Sequence, residues 1–320
     1  MKTKKLVVFI PSYNEEKTIG NVIRSIPKRI EGISLMEILV VDDGSKDRTA
    51  EEAEKAGAIV VRHPRNMKLG QAFRTGIEAA LKMKADIIVN MDGDGQFDSK
   101  DISKIIKPIL ENKADMVTCS RFLDKALEPE MPGIKKFGNN VFTKVVSYLT
   151  KQKFTDTQCG FRAYSKEAAL RLTLFGVLTY TQEALLDLLK KGFRVQEVAC
   201  KVEGERQHGK SKVVKSWYAY GMRVVVIIVR TIRDWEPMKF FGLPAFISAL
   251  LGLIILFFVF IHWLLNSQTS PYTSLISIAG VLLLIGFALA TIALIADMLD
   301  RQRKLQEEIL LRLKRRDIED

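Results

Sequence analysis

Cysteine is scarce in this sequence, which limits the metal sites that it can build. Only Cys119, Cys159 and Cys200 occur in 320 residues. They show neither the CxxC spacing nor the set of partner residues that a zinc site needs. We therefore interpret them as buried thiols of a protein in a reducing compartment.

Two common ligand-binding loops are also missing, although the acidic stretch at 92–95 imitates both. An EF-hand beginning at Asp92 would have Phe97 where glycine is needed and Ser103 where glutamate is needed. A dinucleotide-binding fingerprint would need a third glycine at position 98, which is aspartate. The stretch therefore predicts neither a calcium loop nor a dinucleotide site.

Acidic residues are outnumbered by basic ones, and the formal net charge of +12 predicts anionic partners. The aromatic-rich basic motifs of nucleic-acid-binding modules are absent. Basic residues become denser toward the apolar last quarter of the chain. We therefore expect phosphates and lipid headgroups, and no nucleic acid, as partners.

The most informative stretch is an apolar run, Ile87–Met91, that ends at two acids, Asp92 and Asp94. Such a run bounded by glycines is typical of a buried strand in a parallel sheet, with the acids at its carboxyl end. Two carboxylates about 4 Å apart repel by roughly 4 kcal/mol at an effective dielectric constant of 20. The pair therefore favours a divalent cation, and oxygen ligands favour Mg²⁺ or Mn²⁺. A solvated Asp-Gly turn is the alternative.

Apolar runs alternate with amphipathic stretches through the first 120 residues. This alternation predicts an α/β fold with a doubly wound, mainly parallel sheet. The predicted strands are Leu6–Ile10, Ile38–Val41, Ala58–Val61, Ile87–Met91 and Met116–Cys119, with a later one at Val195–Val202. The predicted helices between them are Glu16–Ile26, Thr49–Ala56, Gln71–Lys84 and Asp101–Glu111.

Polar residues follow the first two strands as well. Pro11-Ser-Tyr-Asn-Glu-Glu16 leaves the first strand, and Asp42-Asp43-Gly-Ser45 leaves the second. Each cluster alone is ordinary helix capping. Acids at three strand ends along one edge of a sheet predict a ligand site, where a carboxylate can accept from a base or a ribose.

These motifs, in this order and spacing, resemble glycosyltransferase family 2 of the GT-A type. The family shows a Pro-x-Tyr-Asn-Glu opening, a Val-Asp-Asp-Gly-Ser second strand and a metal-binding Asp-x-Asp. The resemblance implies a metal on Asp92, Asp94 and Gln96. It also implies a donor site formed by Pro11, Tyr13, Asn14, Glu15, Asp42, Asp43, Gly70, Asp92 and Gly93. Lys68 stands where the family is expected to have glycine.

A second set of residues resembles the polyprenyl-phosphate branch of that family, which includes dolichol-phosphate mannose synthase. The segment 154–162 matches its Asp-x-x-x-Gly-Phe-Arg motif. The resemblance implies Asp156, Asp94 and Arg121 as catalytic residues, with Asp156 orienting or stabilising groups near the sugar. It also implies Arg121, Lys136, Asn139 and Arg162 near the acceptor phosphate. Glu183 lies where soluble relatives keep a base, and a structural helix cap is the alternative.

A Walker A pattern at 204–211 suggests an NTPase, but its loop is filled with bulky polar residues and too little soluble chain follows it. In the polyprenyl branch this segment reads Arg-x-x-Gly-x-Ser-Lys. The resemblance therefore implies that Arg206, Ser211 and Lys212 close over the donor diphosphate.

Two long apolar stretches, Phe240–Leu265 and Thr273–Leu299, are each long enough to span a membrane. The link between them lacks Lys and Arg, whereas basic residues flank the outer ends, which predicts that both chain ends are cytoplasmic. The expected organisation is a cytosolic catalytic domain at 1–212, interfacial helices at 213–238, two membrane helices at 239–299 and a charged tail helix at 300–320. We expect that tail to lie on the membrane surface or to form a homo-oligomer contact.

The sequence therefore predicts a metal-dependent, inverting glycosyltransferase that moves a hexose from a GDP- or UDP-sugar to polyprenyl or dolichyl phosphate. Two rival hypotheses remain at this point. A membrane enzyme with a glycolipid or polysaccharide acceptor would share the donor motifs, although a processive synthase would carry Gln-x-x-Arg-Trp where this chain has Arg230-Thr-Ile-Arg233-Asp-Trp235. A non-catalytic membrane scaffold would not bind nucleotide in a metal-dependent way.

Overall fold

The chain forms two compact units. The computed structural model describes residues 4–129, 133–174, 180–203 and 217–319. The first unit comprises residues 1–224 together with 310–320, and the second comprises residues 225–309. The predicted domain boundary at residue 212 falls outside the described residues.

A seven-stranded sheet forms the centre of the first unit, in the order β3-β2-β1-β4-β6-β5-β7. Its strands are β1 Lys4–Ser12, β2 Ile33–Asp42, β3 Ile59–Arg62, β4 Ile87–Asn90, β5 Met116–Ser120, β6 Arg162–Ser165 and β7 Val195–Ala199. All neighbouring pairs are parallel except those that involve β6. The predicted α/β class with a mainly parallel sheet is therefore confirmed.

Helices connect the strands of the first unit, and longer helices form the second. They are α1 Ile19–Ser25, α2 Thr49–Lys55, α3 Leu69–Lys82, α4 Ile102–Leu110, α5 Gly133–Thr150, α6 Lys166–Arg171, α7 Thr181–Lys190, α8 Trp217–Trp235, α9 Pro237–Asn266 and α10 Thr273–Glu319. The helix predicted from Glu16 begins only at Ile19. The Glu15 carbonyl accepts the amides of Thr18 and Ile19, which makes a turn of the preceding residues.

The sheet is covered on both faces, as its continuous apolar strands require. Leu6–Ile10 of β1 is fully buried. Alternate residues point to opposite faces, so Leu6, Val8 and Ile10 join the aliphatic core with α1 and α4. Phe9 packs on the other face against Phe73 of α3, with ring centroids 5.4 Å apart.

The sequence did not predict β6 or α6. The strand β6 reads Arg-Ala-Tyr-Ser and lacks an apolar run, yet it is antiparallel to both β4 and β5. Its place in the sheet depends on pairing partners that are distant in sequence. It brings segment 154–162 beside the end of β4.

In the second unit, α9 and α10 are long and apolar enough by length and composition to cross a membrane. They contain both predicted apolar stretches. At Gly252 and Gly286, an added Cβ would lie 3.0 Å from backbone atoms of the facing helix, so small residues allow the close approach.

The helix α10 continues well beyond Leu299, the predicted end of the second apolar stretch. Its last residues belong to the first unit, where Leu311 is buried and Lys314 Nζ donates to the Leu172 carbonyl at 2.8 Å. Arg315 Nη2 donates to both carboxylate oxygens of Glu167 at 2.8 and 2.9 Å. Residues 310–320 therefore pack within the first unit, a contact that the sequence did not predict.

Candidate functional site

The acidic loop after β4 is anchored to the end of β1 and the start of α1. Gln96 N donates to Asp94 Oδ1 at 3.1 Å, which closes a tight turn, and Asp94 is only 3% exposed. Thr18 Oγ1 donates to the Gly93 carbonyl at 2.8 Å. A Cβ at Gly93 would lie 2.8 Å from Ser12 Oγ, so a larger residue would displace the loop. Asp92 and Asp94 therefore occupy a fixed position at the sheet edge.

The oxygen donors of this loop fit the chemistry of a divalent cation. Among the residues that the structure describes, no group of three or more His, Cys, Asp or Glu side chains could hold a metal by itself. Two carboxylates suit Mg²⁺ or Mn²⁺, which usually complete their shell with water and phosphate oxygens. Gln96 Nε2 donates to the Glu203 carbonyl at 2.9 Å, so only its Oε1 remains as a ligand atom.

The loops that follow β1 and β2 are hydrogen-bonded to each other. Asn14 N donates to Ser45 Oγ at 2.9 Å, and Lys46 N donates to Asn14 Oδ1 at 2.9 Å. Glu15 N donates to Thr49 Oγ1 at 2.8 Å. Pro11 is buried at the end of β1, and Tyr13 is partly buried beside it. The predicted nucleoside-binding residues are thus brought together at one edge.

Asp42 keeps a buried acceptor atom. Its Oδ1 accepts Ser45 N at 3.0 Å. Its Oδ2 lies 3.1 Å from Arg62 Nε, yet within the described parts of the chain it makes no hydrogen bond of normal geometry. A buried acceptor without a hydrogen bond fits the predicted role of Asp42 in binding a ligand donor group.

Both carboxylate oxygens of Asp43, in contrast, accept hydrogen bonds from the protein. Its Oδ1 accepts Met67 N at 2.8 Å and lies 2.8 Å from His63 Nδ1, while its Oδ2 accepts Lys68 N at 2.9 Å. It therefore holds the loop that precedes α3, and direct contact with the donor stays a prediction for this residue.

Lys68 adopts a backbone conformation that normally requires glycine, with φ 76° and ψ 159°. This is the position where the family resemblance leads us to expect glycine. The strained residue places buried Gly70 in the first turn of α3. At position 68 this chain therefore differs from the family pattern in residue type, while its backbone adopts a conformation that suits glycine.

Arg121 and Asp156 form a bidentate salt bridge at the end of β5. Arg121 Nε donates to Asp156 Oδ2 at 2.6 Å and Nη2 donates to Oδ1 at 3.0 Å. The Asp156 side chain is fully buried, whereas that of Arg121 is 21% exposed. Burial opposes the charge of Arg121, but its hydrogen bonds to Asp156 and the attraction of that negative charge together outweigh burial and raise the pKa of Arg121. Arg121 therefore presents a permanent positive charge in a fixed orientation.

Glu197 of β7 holds the backbone around Asp156. Its carboxylate accepts Asp156 N at 2.8 Å and Thr155 N at 2.8 and 3.0 Å. Burial is the main cause that raises the pKa of Glu197. No motif pointed to this residue, because a single acid in a short strand has many other uses.

Arg162, which the family resemblance places near the acceptor phosphate, is enclosed by backbone carbonyls. It is completely buried, and its guanidinium donates to the carbonyls of Cys159 and Thr157, each at 2.9 Å, and to that of Thr181. Three carbonyls occupy three of the five N–H donors of Arg162, and the side chain is completely buried. The geometry therefore favours a structural role for Arg162, and its acceptor-phosphate role remains a prediction that this structure does not support.

The other predicted acceptor residues lie on α5, and the possible base lies on α7. Lys136 is exposed and pairs with Glu128, and Asn139 is buried with an Oδ1 that has no hydrogen-bond partner among the described residues. Glu183 lies in the first turn of α7, where an acid is stabilised by the helix dipole. Arg206, Ser211 and Lys212 lie outside the described residues.

Tyr180, which sequence reasoning missed, is buried beside the acidic loop. Its ring stacks on Phe73 with centroids 3.9 Å apart, and its hydroxyl accepts Asn90 Nδ2 at 2.6 Å. Burial, followed by the negative charge of Asp92, raises the pKa of Tyr180 well above its ordinary value. A lone tyrosine that precedes a helix has no sequence signal of such a role.

The sequence model for "Glycosyl transferase family 2" matches residues 7–173, more than half of the chain. The UDP-N-acetylglucosamine–dolichyl-phosphate N-acetylglucosaminyltransferase of Methanococcus voltae is 35% identical over 52% of this chain and 72% of that protein. The dodecaprenyl-phosphate galacturonate synthase of Rhizobium johnstonii is 24% identical over 94% of this chain and 89% of that protein.

Among solved structures, the glucosyl-3-phosphoglycerate synthase of Mycobacterium tuberculosis, in complex with Mn²⁺, UDP and glucosyl-3-phosphoglycerate, has a similar fold. The TM-score is 0.56 at 22% identity, covering 72% of this chain and 80% of that one. At this identity the likeness concerns the fold alone, and it confirms the predicted GT-A architecture.

Proposed function

Since this chain belongs to glycosyl transferase family 2, we propose that it transfers a hexose from a GDP- or UDP-sugar to dolichyl or polyprenyl phosphate in a metal-dependent reaction. The observation that carries the proposal is the pairing of two features at one sheet edge. One is the fixed pair of carboxylates after β4, and the other is the charged Arg121 after β5. Relatives with names that specify lipid-phosphate acceptors support the same acceptor class.

The donor is held by the loops that follow β1, β2 and β4. Asp42 accepts from a donor group of the nucleoside, and the loop at 13–15 lies against it. A divalent cation bound by Asp92 and Asp94 would neutralise the diphosphate that leaves. The chain's own residues hold this loop in place, since Thr18 Oγ1 donates to the Gly93 carbonyl and Gln96 N donates to Asp94 Oδ1.

The acceptor phosphate is oriented by Arg121. An arginine fork binds two phosphate oxygens at once. The two hydrogen bonds to Asp156 fix the plane of the Arg121 guanidinium. A phosphate monoester has a second pKa near 6, so the nucleophilic oxygen is already charged at pH 7. In-line attack on the anomeric carbon then inverts its configuration and needs no strong general base. Glu183 is therefore dispensable for proton removal in this proposal.

The membrane helices bring this chemistry to the lipid. The link between α9 and α10 lacks Lys and Arg, whereas Arg233 and Lys239 precede the first apolar stretch and Arg301 and Arg303 follow the second. This asymmetry supports a cytoplasmic position for the proposed catalytic unit and for both chain ends. Labelling of cysteines introduced at Ser267 and Gln302 with a membrane-impermeant reagent tests it, and labelling of Gln302→Cys from the outside would contradict it.

The test of the function is transfer by the full-length protein in detergent, with Mg²⁺ or Mn²⁺, radiolabelled GDP- and UDP-sugars and a short polyprenyl phosphate. We expect labelled lipid in the organic phase that requires metal and is lost in Asp94→Ala. If a supplied glycolipid or polymer is labelled and the lipid phosphate is not, the proposed acceptor class is rejected and the proposed donor class is kept. The absence of any metal-dependent nucleotide binding would reject the function as a whole.

A further inference from the structure

A buried hydrogen-bonded cluster lies directly behind the acidic loop. It consists of Asn90, the last residue of β4, Gly160 and Tyr180. Asn90 Nδ2 donates to the Gly160 carbonyl at 2.7 Å and to the Tyr180 hydroxyl oxygen at 2.6 Å. Asn90 is completely buried, and Tyr180 is 1% exposed. The cluster therefore links the strand that precedes Asp92 to the residue that precedes α7.

The direction of these hydrogen bonds is fixed by chemistry. The Gly160 carbonyl can only accept, so the Asn90 atom that faces it must be the amino group. The second N–H of that group points at the Tyr180 oxygen, which therefore acts as an acceptor. The proton of Tyr180 must consequently go to a different acceptor.

Among the residues that the structure describes, two acceptors lie near that hydroxyl. The Gly160 carbonyl lies 3.4 Å from the Tyr180 hydroxyl, which is long for a hydrogen bond between oxygens. The other is the Asp92 carboxylate. A Cβ added to Gly160 would lie 3.1 Å from Asp92 Oδ2 and 3.1 Å from the Tyr180 hydroxyl, so both atoms surround the same glycine. A carboxylate is also the stronger acceptor.

We propose that Tyr180 is a positioning residue that donates its hydroxyl proton to Asp92 and orients this carboxylate for a divalent cation. Asn90 holds the phenol oxygen, and Gly160 leaves the space in which the two side chains meet. The inference rests on the proposed function only because it takes Asp92 as a metal ligand. Hydrogen-bond partners of metal ligands typically change metal affinity by about 10- to 100-fold when they are removed.

The chain offers a matched control for the loss of one hydroxyl. Tyr164 is also completely buried, and its ring also packs on Phe73, with centroids 6.0 Å apart. Its hydroxyl lies near Arg162 but makes no hydrogen bond of normal geometry within the described parts of the chain. The substitutions Tyr180→Phe and Tyr164→Phe therefore each remove one phenol hydroxyl from a ring that packs on Phe73.

The experiment measures Mn²⁺ binding to the full-length protein in detergent by electron paramagnetic resonance, with UDP and with GDP in separate titrations. We expect Tyr180→Phe to raise the Mn²⁺ dissociation constant by about tenfold or more, and Tyr164→Phe to change it by less than about twofold. The apparent KM for Mn²⁺ should rise in parallel, while kcat at saturating Mn²⁺ changes far less.

Equal Mn²⁺ affinities of the two variants would overturn the inference. Thermal unfolding of both variants checks that each is folded. If Tyr180→Phe does not fold, Gly160→Ala decides, because its Cβ would separate Asp92 from Tyr180: weaker Mn²⁺ binding supports the inference and unchanged binding overturns it. If the variants change Mn²⁺ binding as expected but the protein transfers no sugar to lipid phosphate, the proposed function is rejected and the inference is kept. If wild-type protein binds no Mn²⁺, both are rejected.

Discussion

The two sides of the candidate site are built in different ways. The donor side consists of the loops after β1, β2 and β4. Its acids accept from backbone amides, as in the contacts from Gln96 N to Asp94 and from Met67 N to Asp43. The acceptor side consists of Arg121 and segment 154–162, and it depends on charges buried against each other. Removing a donor-side acid should therefore affect ligand binding, whereas removing an acceptor-side acid should also affect folding.

The largest effect that separates the two sides is expected for Asp156→Ala. It leaves the guanidinium of Arg121 largely buried without its partner, and breaking such a pair costs about 3–5 kcal/mol of unfolding free energy. Pulse proteolysis of the full-length protein across a urea series measures this loss. Asp94→Asn is the donor-side comparison and should be at least as stable as wild type, because it removes repulsion between two carboxylates. Equal stability of the two variants would remove the distinction.

A smaller effect on stability is expected within the acceptor side. There Arg121 is partly exposed to solvent, whereas Arg162 is completely buried. Arg162→Lys cannot reach three carbonyls and should lose about 1.5–3 kcal/mol of unfolding free energy, with little change in the KM for lipid phosphate. Arg121→Lys should raise that KM, because the ammonium loses the planar two-oxygen contact. A stable Arg162→Lys with a raised acceptor KM would restore Arg162 as a phosphate ligand.

On the donor side, Lys68→Gly should increase stability by about 1 kcal/mol. The substitution removes backbone strain of about 1–3 kcal/mol and adds flexibility to the unfolded chain that costs about 0.5–1 kcal/mol. Lys144→Gly, in the middle of α5, is the control and should lower stability by about 1 kcal/mol. Loss of stability in both variants would mean that the lysine side chain at 68 makes a favourable contact.

The smallest effect is a pH dependence on the acceptor side. The pKa of Glu197 is raised above its ordinary value of 4.5, mainly by burial. The folded protein therefore holds this proton more tightly than the unfolded chain, and its contribution to stability is lost as pH rises from about 4.5 through the raised pKa. Relative to Glu197→Gln, wild-type protein should lose stability across that window in urea unfolding. Parallel stability curves would show that Glu197 titrates normally.

Much of the donor side could be predicted because each motif is local. A strand, a turn and the acid that follows it are contiguous, so parallel strands bring 13–15, 42–43 and 92–94 to one edge. The metal and nucleoside roles of these residues stay predictions. The sequence alone did not show what Lys68 does. Its backbone conformation favours glycine, which agrees with the glycine that the family resemblance leads us to expect there.

The acceptor side could be predicted only in part because its contacts join distant segments. The bidentate pair joins positions 121 and 156, and Glu197 joins them from a third strand. Arg162 has the residue type of a phosphate ligand, but burial and three carbonyls give it a different environment. Residue type alone does not report whether a charge faces solvent or the protein interior.

The sequence by itself determined the mainly parallel sheet, the acids at its edge and the two apolar helices, because periodicity and local turn chemistry encode them. Only the tertiary structure decided that β6 runs antiparallel between β4 and β5, that Asp156 faces Arg121, and that Tyr180 reaches the back of the acidic loop. The physical reason is that buried polar groups must find partners wherever the folded chain places them. Those partners are neighbours in space and are far apart in the sequence.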